Sequence, residues 1–137
     1  MAGRRRSRIL ALQFLFVADL NSWESFDAEL DMFSGRYRLS PEEYPHFFTL
    51  VRGVYAKLYE LNNLILEHSQ NWKMTRMSGI DRNLMRIAVY EMISCDDVPA
   101  TVAINEAIEI AKRFSTEDAG AFINGVLDGI AKKLQLE

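Results

Sequence analysis

The sequence predicts an all-α protein, a compact bundle of six or seven helices. Three observations carry that expectation. Apolar residues recur at spacings of three and four along most of the chain, and no segment alternates with period two. Turn-forming pairs such as Ser34-Gly35, Ser40-Pro41, Ser78-Gly79 and Ser115-Thr116 divide the periodic stretches. Of the 137 residues, 49% are hydrophobic and the net charge is −3, a balance that supports a core and excludes a disordered chain.

The first helix is expected from about Arg4 to Leu20. From Ile9 onward it is apolar almost all round (Leu10, Leu12, Phe14, Leu15, Phe16, Val17), the pattern of a helix buried on several sides. A shorter helix follows over Trp23–Phe33, with Phe26, Leu30 and Phe33 on one face and Gly35 as its stop. Pro45 suits the first turn of a third helix. There Phe47, Val51, Val54, Leu58, Leu61 and Ile65 form one long stripe ending near Glu67. The stretch from His68 to Met77 reads as a loop or short helical turn anchored by Trp72 and Met74.

Ser78 and Asp81 have capping-box spacing and open a helix reaching Ser94, with Ile80, Leu84, Ile87 and Met92 inward. Asp96 to Pro99 breaks the chain. The next helix starts at Pro99 or Ala100 and turns Ile104, Ala107, Ala111 and Phe114 inward. The last is expected to be capped by Ser115 or Thr116 and to run to Leu134, burying Ile123, Val126, Leu127, Ile130 and Leu134.

Charge is unevenly spread. Arg4, Arg5, Arg6 and Arg8 lie in the first eight residues, and the 12 other basic residues face 19 acidic ones. Contact with nucleic acid is therefore expected at this basic head and not over the acidic body. Guanidinium forks bind phosphate oxygens and stack on bases, and cations at a helix start are disfavoured by the helix dipole. Three readings of the cluster stand at this point: an RNA handle, a solvated tail, or the positive region of a targeting signal. Against the last, Gln13 interrupts the apolar run and no small-residue cleavage site follows; the run is also too short to span a bilayer.

The chain lacks phosphate-binding loops, dinucleotide fingerprints and nucleophile elbows. Cys95 is the single cysteine, which suits a reducing cytosol, and with His46 and His68 scattered no Cys/His metal site assembles. Asp96-Asp97 reads as a turn before Pro99 and not as a catalytic pair. No enzyme, metal or cofactor is expected.

A second binding signal lies on the last helix. Phe122 stands roughly 110° from the centre of its core stripe, and Asp118 is one turn before it on the same face. An aromatic ring beside an acceptor can stack a base and read its edge; packing of Phe122 against a neighbouring helix is the alternative.

The stretch from Ser78 to Glu91 (SGIDRNLMRIAVYE), the stretch from Asp97 to Phe114 (DVP, then VAINEAIEIAKRF) and Glu117-Asp118 with Phe122 to Asp128 (FINGVLD) resemble the NusB transcription antitermination family. The resemblance covers nearly the whole chain and is weakest from Asn21 to Tyr44. It implies two small helical bundles packed side by side, residues 1–77 and 78–137, in one RNA-binding domain. It implies a cytoplasmic factor that pairs with NusE, a protein of the small ribosomal subunit. Together they bind the boxA element of ribosomal RNA leaders within the RNA polymerase antitermination complex. Carried over by position, Arg4, Arg5, Arg6, Arg8, Asp118 and Phe122 are RNA contacts, and Phe16 and Asp81 are partner contacts.

The chain departs from the family pattern at Phe16, where many members have Tyr, and at Ile9, where Glu commonly follows the arginines. Gly120 and Ala121 replace residues that are often polar. Arg86, Glu91, Asn105 and Glu106, on mostly apolar helices, are expected to form a polar network, and Asn124-Gly125 to allow close helix packing. The same domain can head a larger ribosomal RNA cytosine methyltransferase; ending where it does, this chain is expected to be the binding factor. The alternative is an interaction module of the same fold, homodimeric, with weak or lost RNA binding.

Overall fold

A computed structural model describes residues 1–70, 73–74 and 77–136; Trp72, expected as an anchor, lies outside them. Among the described residues there are seven α-helices and no strand. In chain order they are α1 (Arg4–Leu20), α2 (Phe26–Tyr37), α3 (Pro45–Ala56), α4 (Leu58–Glu67), α5 (Gly79–Ser94), α6 (Ala100–Phe114) and α7 (Ala119–Lys133). No helix among them is long and apolar enough to cross a membrane.

α5 is the hub. It packs on α1, α3 and α4 from the first half of the chain and on α6 and α7 from the second, so one core runs through both halves. α1 contributes Leu10, Ala11, Leu12, Phe14, Leu15 and Ala18 to that core. It is not buried all round, however. Ile9 and Phe16 are half-buried, and Val17 and Leu20 are exposed, leaving one outward apolar face.

Four boundaries differ from the sequence expectation, each for a local reason. Ser22 and Trp23 take left-handed backbone angles (φ 58° and 63°), which delays α2 to Phe26. Gly35 does not stop α2. The helix ends at left-handed Arg38, where Leu39 N–H donates to the Ser34 carbonyl at 2.8 Å and buried Leu39 seals the turn. The long third helix is two helices, because Lys57 (φ −111°, ψ 21°) leaves helical geometry between α3 and α4. Ser115 and Thr116 do not cap α7, which starts at Ala119; the Ser115 hydroxyl donates instead to Asp81 at 2.6 Å.

The buried Asn83, Arg86 and Glu91 side chains on α5 are all paired. Asp19, at the end of α1, accepts from Arg82 Nε (2.5 Å), Arg86 Nη1 (3.0 Å) and Asn83 Nδ2 (3.1 Å). Arg86 also donates to Asn62 Oδ1 on α4 and stacks over Trp23. The residues expected to form one network divide between two: Arg86 belongs to this cluster around Asp19, whereas Glu91 and Glu106 meet around Arg8. Asn105 is exposed on α6 and joins neither among the described residues. Close packing at glycine occurs at Gly53, where an added Cβ would stand 2.0 Å from Tyr90 Cζ, and at Gly129 beside His68. Gly125, expected in that role, faces open space.

Candidate nucleic-acid interface and partner groove

The arginine cluster opens α1 without an acidic residue in its first turn. Its four members are not equivalent. Arg8 lies inward, 5% exposed. Its Nε is 3.0 Å from both oxygens of Glu91, which also bonds His46 Nε2 at 2.6 Å, and its Nη1 reaches Glu106 at 3.2 Å. Grouped with the RNA contacts on sequence grounds, Arg8 is separated from them by burial: its guanidinium is committed to α5 and α6. Arg4, Arg5 and Arg6 are exposed.

Arg5 forms a two-point fork with Glu106, Nε to Oε1 at 3.0 Å and Nη2 to Oε2 at 2.6 Å. Arg4 Nη2 donates to Asp97 Oδ2 at 2.5 Å across the α5–α6 turn. These bonds hold the Asp97 and Glu106 carboxyls below the usual carboxylate range and raise both guanidiniums. Asp96-Asp97 is accordingly a turn with an ion pair. Arg6 has no ion pair among the described residues. Burial, with Glu91 and Asp97 nearby, pushes the Cys95 thiol up and disfavours its thiolate. No group of three metal-ligating side chains occurs among the described residues.

On α7, Asp118 is exposed at the N-cap position and its side chain makes no capping bond. Phe122, one turn on, is half-buried and packs at the margin of the core. The two lie one turn apart on α7. α6 touches both regions, with Glu106 on Arg5 and Ile108 against Gly120. A hollow of about 440 Å³ beside Asp118 is lined by Ile108, Lys112, Ser115, Thr116, Gly120 and Ala121, among others. Gly120, with no side chain, and the methyl of Ala121 leave that space open.

Toward the other end of α1, Phe16 packs on the start of α5, the helix whose first turn carries Asp81. The Phe16 ring lies across Gly79, where a Cβ would be 2.6 Å from Phe16 Cε1. Asp81 N–H donates to the Ser78 hydroxyl at 3.0 Å, and its carboxylate accepts from Ser115. Phe16 lines an apolar hollow of about 210 Å³ with Leu12, Gln13, Ile80 and Phe114. Ile80 and Phe114, assigned to the core by periodicity, are half-buried walls of this groove. Gly79 joins this site without being a sequence candidate; its signal in the chain is a glycine in the first turn of α5.

The NusB family model matches residues 5–132. This chain belongs to the NusB family. It is 59% identical over 136 residues to the transcription antitermination protein NusB of Desulfosudis oleivorans, covering 98% of this chain and 88% of the relative. The structure of T. maritima NusB superposes with a TM-score of 0.84 at 34% identity, covering 96% of this chain and 92% of that one. A structure of the antitermination factors NusB and NusE in complex with double-stranded RNA shares the fold, with a TM-score of 0.82 at 24% identity, over 95% of this chain and 96% of that one.

Proposed function

We propose that this NusB-family protein is a cytoplasmic transcription antitermination factor that binds boxA-type single-stranded leader RNA together with NusE. In that role it supports ribosomal RNA transcription within the RNA polymerase antitermination complex. The observation that carries the reading is the opening of α1: Arg4, Arg5 and Arg6 are exposed on a helix end locked to the core through Arg8. Exposed guanidinium forks at a fixed helix start bind phosphate oxygens. Phe122 offers a partly exposed ring for base stacking, and Asp118 an acceptor for a base edge. The Phe16 groove suits an apolar anchor of NusE, and Asp81, next in sequence to its wall residue Ile80, offers a carboxylate for a donor. The protein acts by binding, with no catalytic step of its own.

The test is fluorescence anisotropy with boxA RNA, with and without NusE. Binding is expected to weaken with salt and with replacement of Arg5 and Arg6 by Ala. Phe122→Ala is expected to weaken RNA binding while circular dichroism shows a folded domain. NusE binding with no salt-dependent RNA affinity would instead identify a protein-interaction module.

A further inference from the structure

Three carboxylates face three of the four arginines: Asp97 on Arg4, Glu106 on Arg5 and Arg8, and Glu91 on Arg8. The basic head is thus largely neutralised in the folded protein. A carboxylate presents two oxygens to a guanidinium fork much as a phosphodiester does, so the same donors cannot serve both. We propose that Asp97 and Glu106 are affinity-setting residues that occupy Arg4 and Arg5 as internal phosphate surrogates, so that RNA binds by exchanging partners with them. This inference rests on the RNA-binding reading above.

Burial grades the exchange. Arg4 and Asp97 are 45% and 66% exposed, and a pair so placed is held weakly. Glu106 is 17% exposed and grips Arg5 at two points, so its release is harder. The Arg8–Glu91 pair is enclosed and stays intact. Asp97 is therefore the first residue displaced and the easiest to change without harm to the core. Its removal frees one fork and also takes away a negative charge that repels the incoming strand. Because a phosphate contact carries no sequence information, the gain extends to unrelated RNA.

The experiment compares wild type, Asp97→Asn, Arg4→Ala, the double variant and Asp96→Asn by anisotropy at one salt concentration, on boxA RNA and an unrelated single strand. Asp96 is exposed next door and controls for net charge. Asp97→Asn is expected to tighten both RNAs by about two- to five-fold, the range for releasing an exposed ion pair. The gain should vanish in the Arg4→Ala background and be smaller for Asp96→Asn. Unchanged or weaker binding by Asp97→Asn, a gain that survives loss of Arg4, or an equal gain from Asp96→Asn would each overturn the proposal. If wild type binds RNA and Asp97→Asn binds no better, only this inference fails. If neither binds, the RNA-binding reading fails with it.

Discussion

Arg8 and Glu91 are joined by an enclosed ion pair, Nη2 to Oε2 at 3.0 Å, with side chains 6% and 1% exposed. Removing one partner of such a pair leaves the other charged and out of water. Arg8→Ala is expected to destabilise the fold by about 3–5 kcal/mol in urea unfolding. Arg6→Ala, at an exposed residue one turn away from no acid, should stay within about 0.5 kcal/mol of wild type. Equal stability of the two variants would contradict the division between anchor and contact residues.

Gly79 leaves room for the Phe16 ring against the start of α5. Gly79→Ala is expected to push the ring into the groove, since the added carbon would sit 2.6 Å from Cε1. Calorimetric titration should show NusE affinity falling about tenfold, on the scale of a lost interface anchor. Affinity for boxA RNA alone, read at the opposite end of α1, should hold.

Two helical glycines make opposite predictions. Gly125 has nothing within 4 Å of its missing Cβ, so Gly125→Ala should stabilise by about 0.5–1 kcal/mol through helix propensity. Gly53→Ala gains the same propensity but drives a carbon to 2.0 Å from Tyr90 Cζ. Overpacking of that kind costs about 1–3 kcal/mol, so the net change is destabilising. Paired denaturant melts check the signs.

Acid should loosen the junction of α1 with α5. Burial alone would raise the Asp19 carboxyl, but the bond from Arg82 and the charges of Arg86 and Arg82 outweigh it and hold the group below its ordinary 3.8. A group depressed on folding contributes stability that is fully present above the unfolded value and is lost as pH falls through the folded one. Stability should therefore drop below about pH 4, and Asp19→Asn, less stable at neutral pH, should show a shallower acid limb.

Periodicity made most of the fold legible, because α1 and α5 to α7 each turn a regular apolar stripe inward. What it could not supply was backbone geometry and partners distant in sequence. Nothing in the Trp23 side chain announces a left-handed residue, so the sequence places the start of α2 too early. The stripe from Phe47 to Ile65 continues in phase through Lys57, so the break there left no trace. Ser115 resembles a cap until Asp81, 34 positions away, is seen to claim its hydroxyl. Likewise Arg8 reads as a fourth member of a cluster because Glu91 lies 83 positions on. The candidate faces followed the same rule. The exposed arginines and Asp118 are visible in the chain, whereas the groove beside Phe16 exists only once α1, α5 and α6 meet.

Helix ends ordinarily fray, and their amides exchange with solvent quickly. The first turns of α1 are restrained from two sides: Ala2 N–H donates to the Glu43 carbonyl at 2.8 Å, and Glu91 ties Arg8 to His46 of α3. Amide exchange near Arg8 should therefore slow toward the rate of the core. In the proposed role, an RNA strand arriving there would meet a backbone that is already ordered, so little of the entropy of binding would be spent on the protein side.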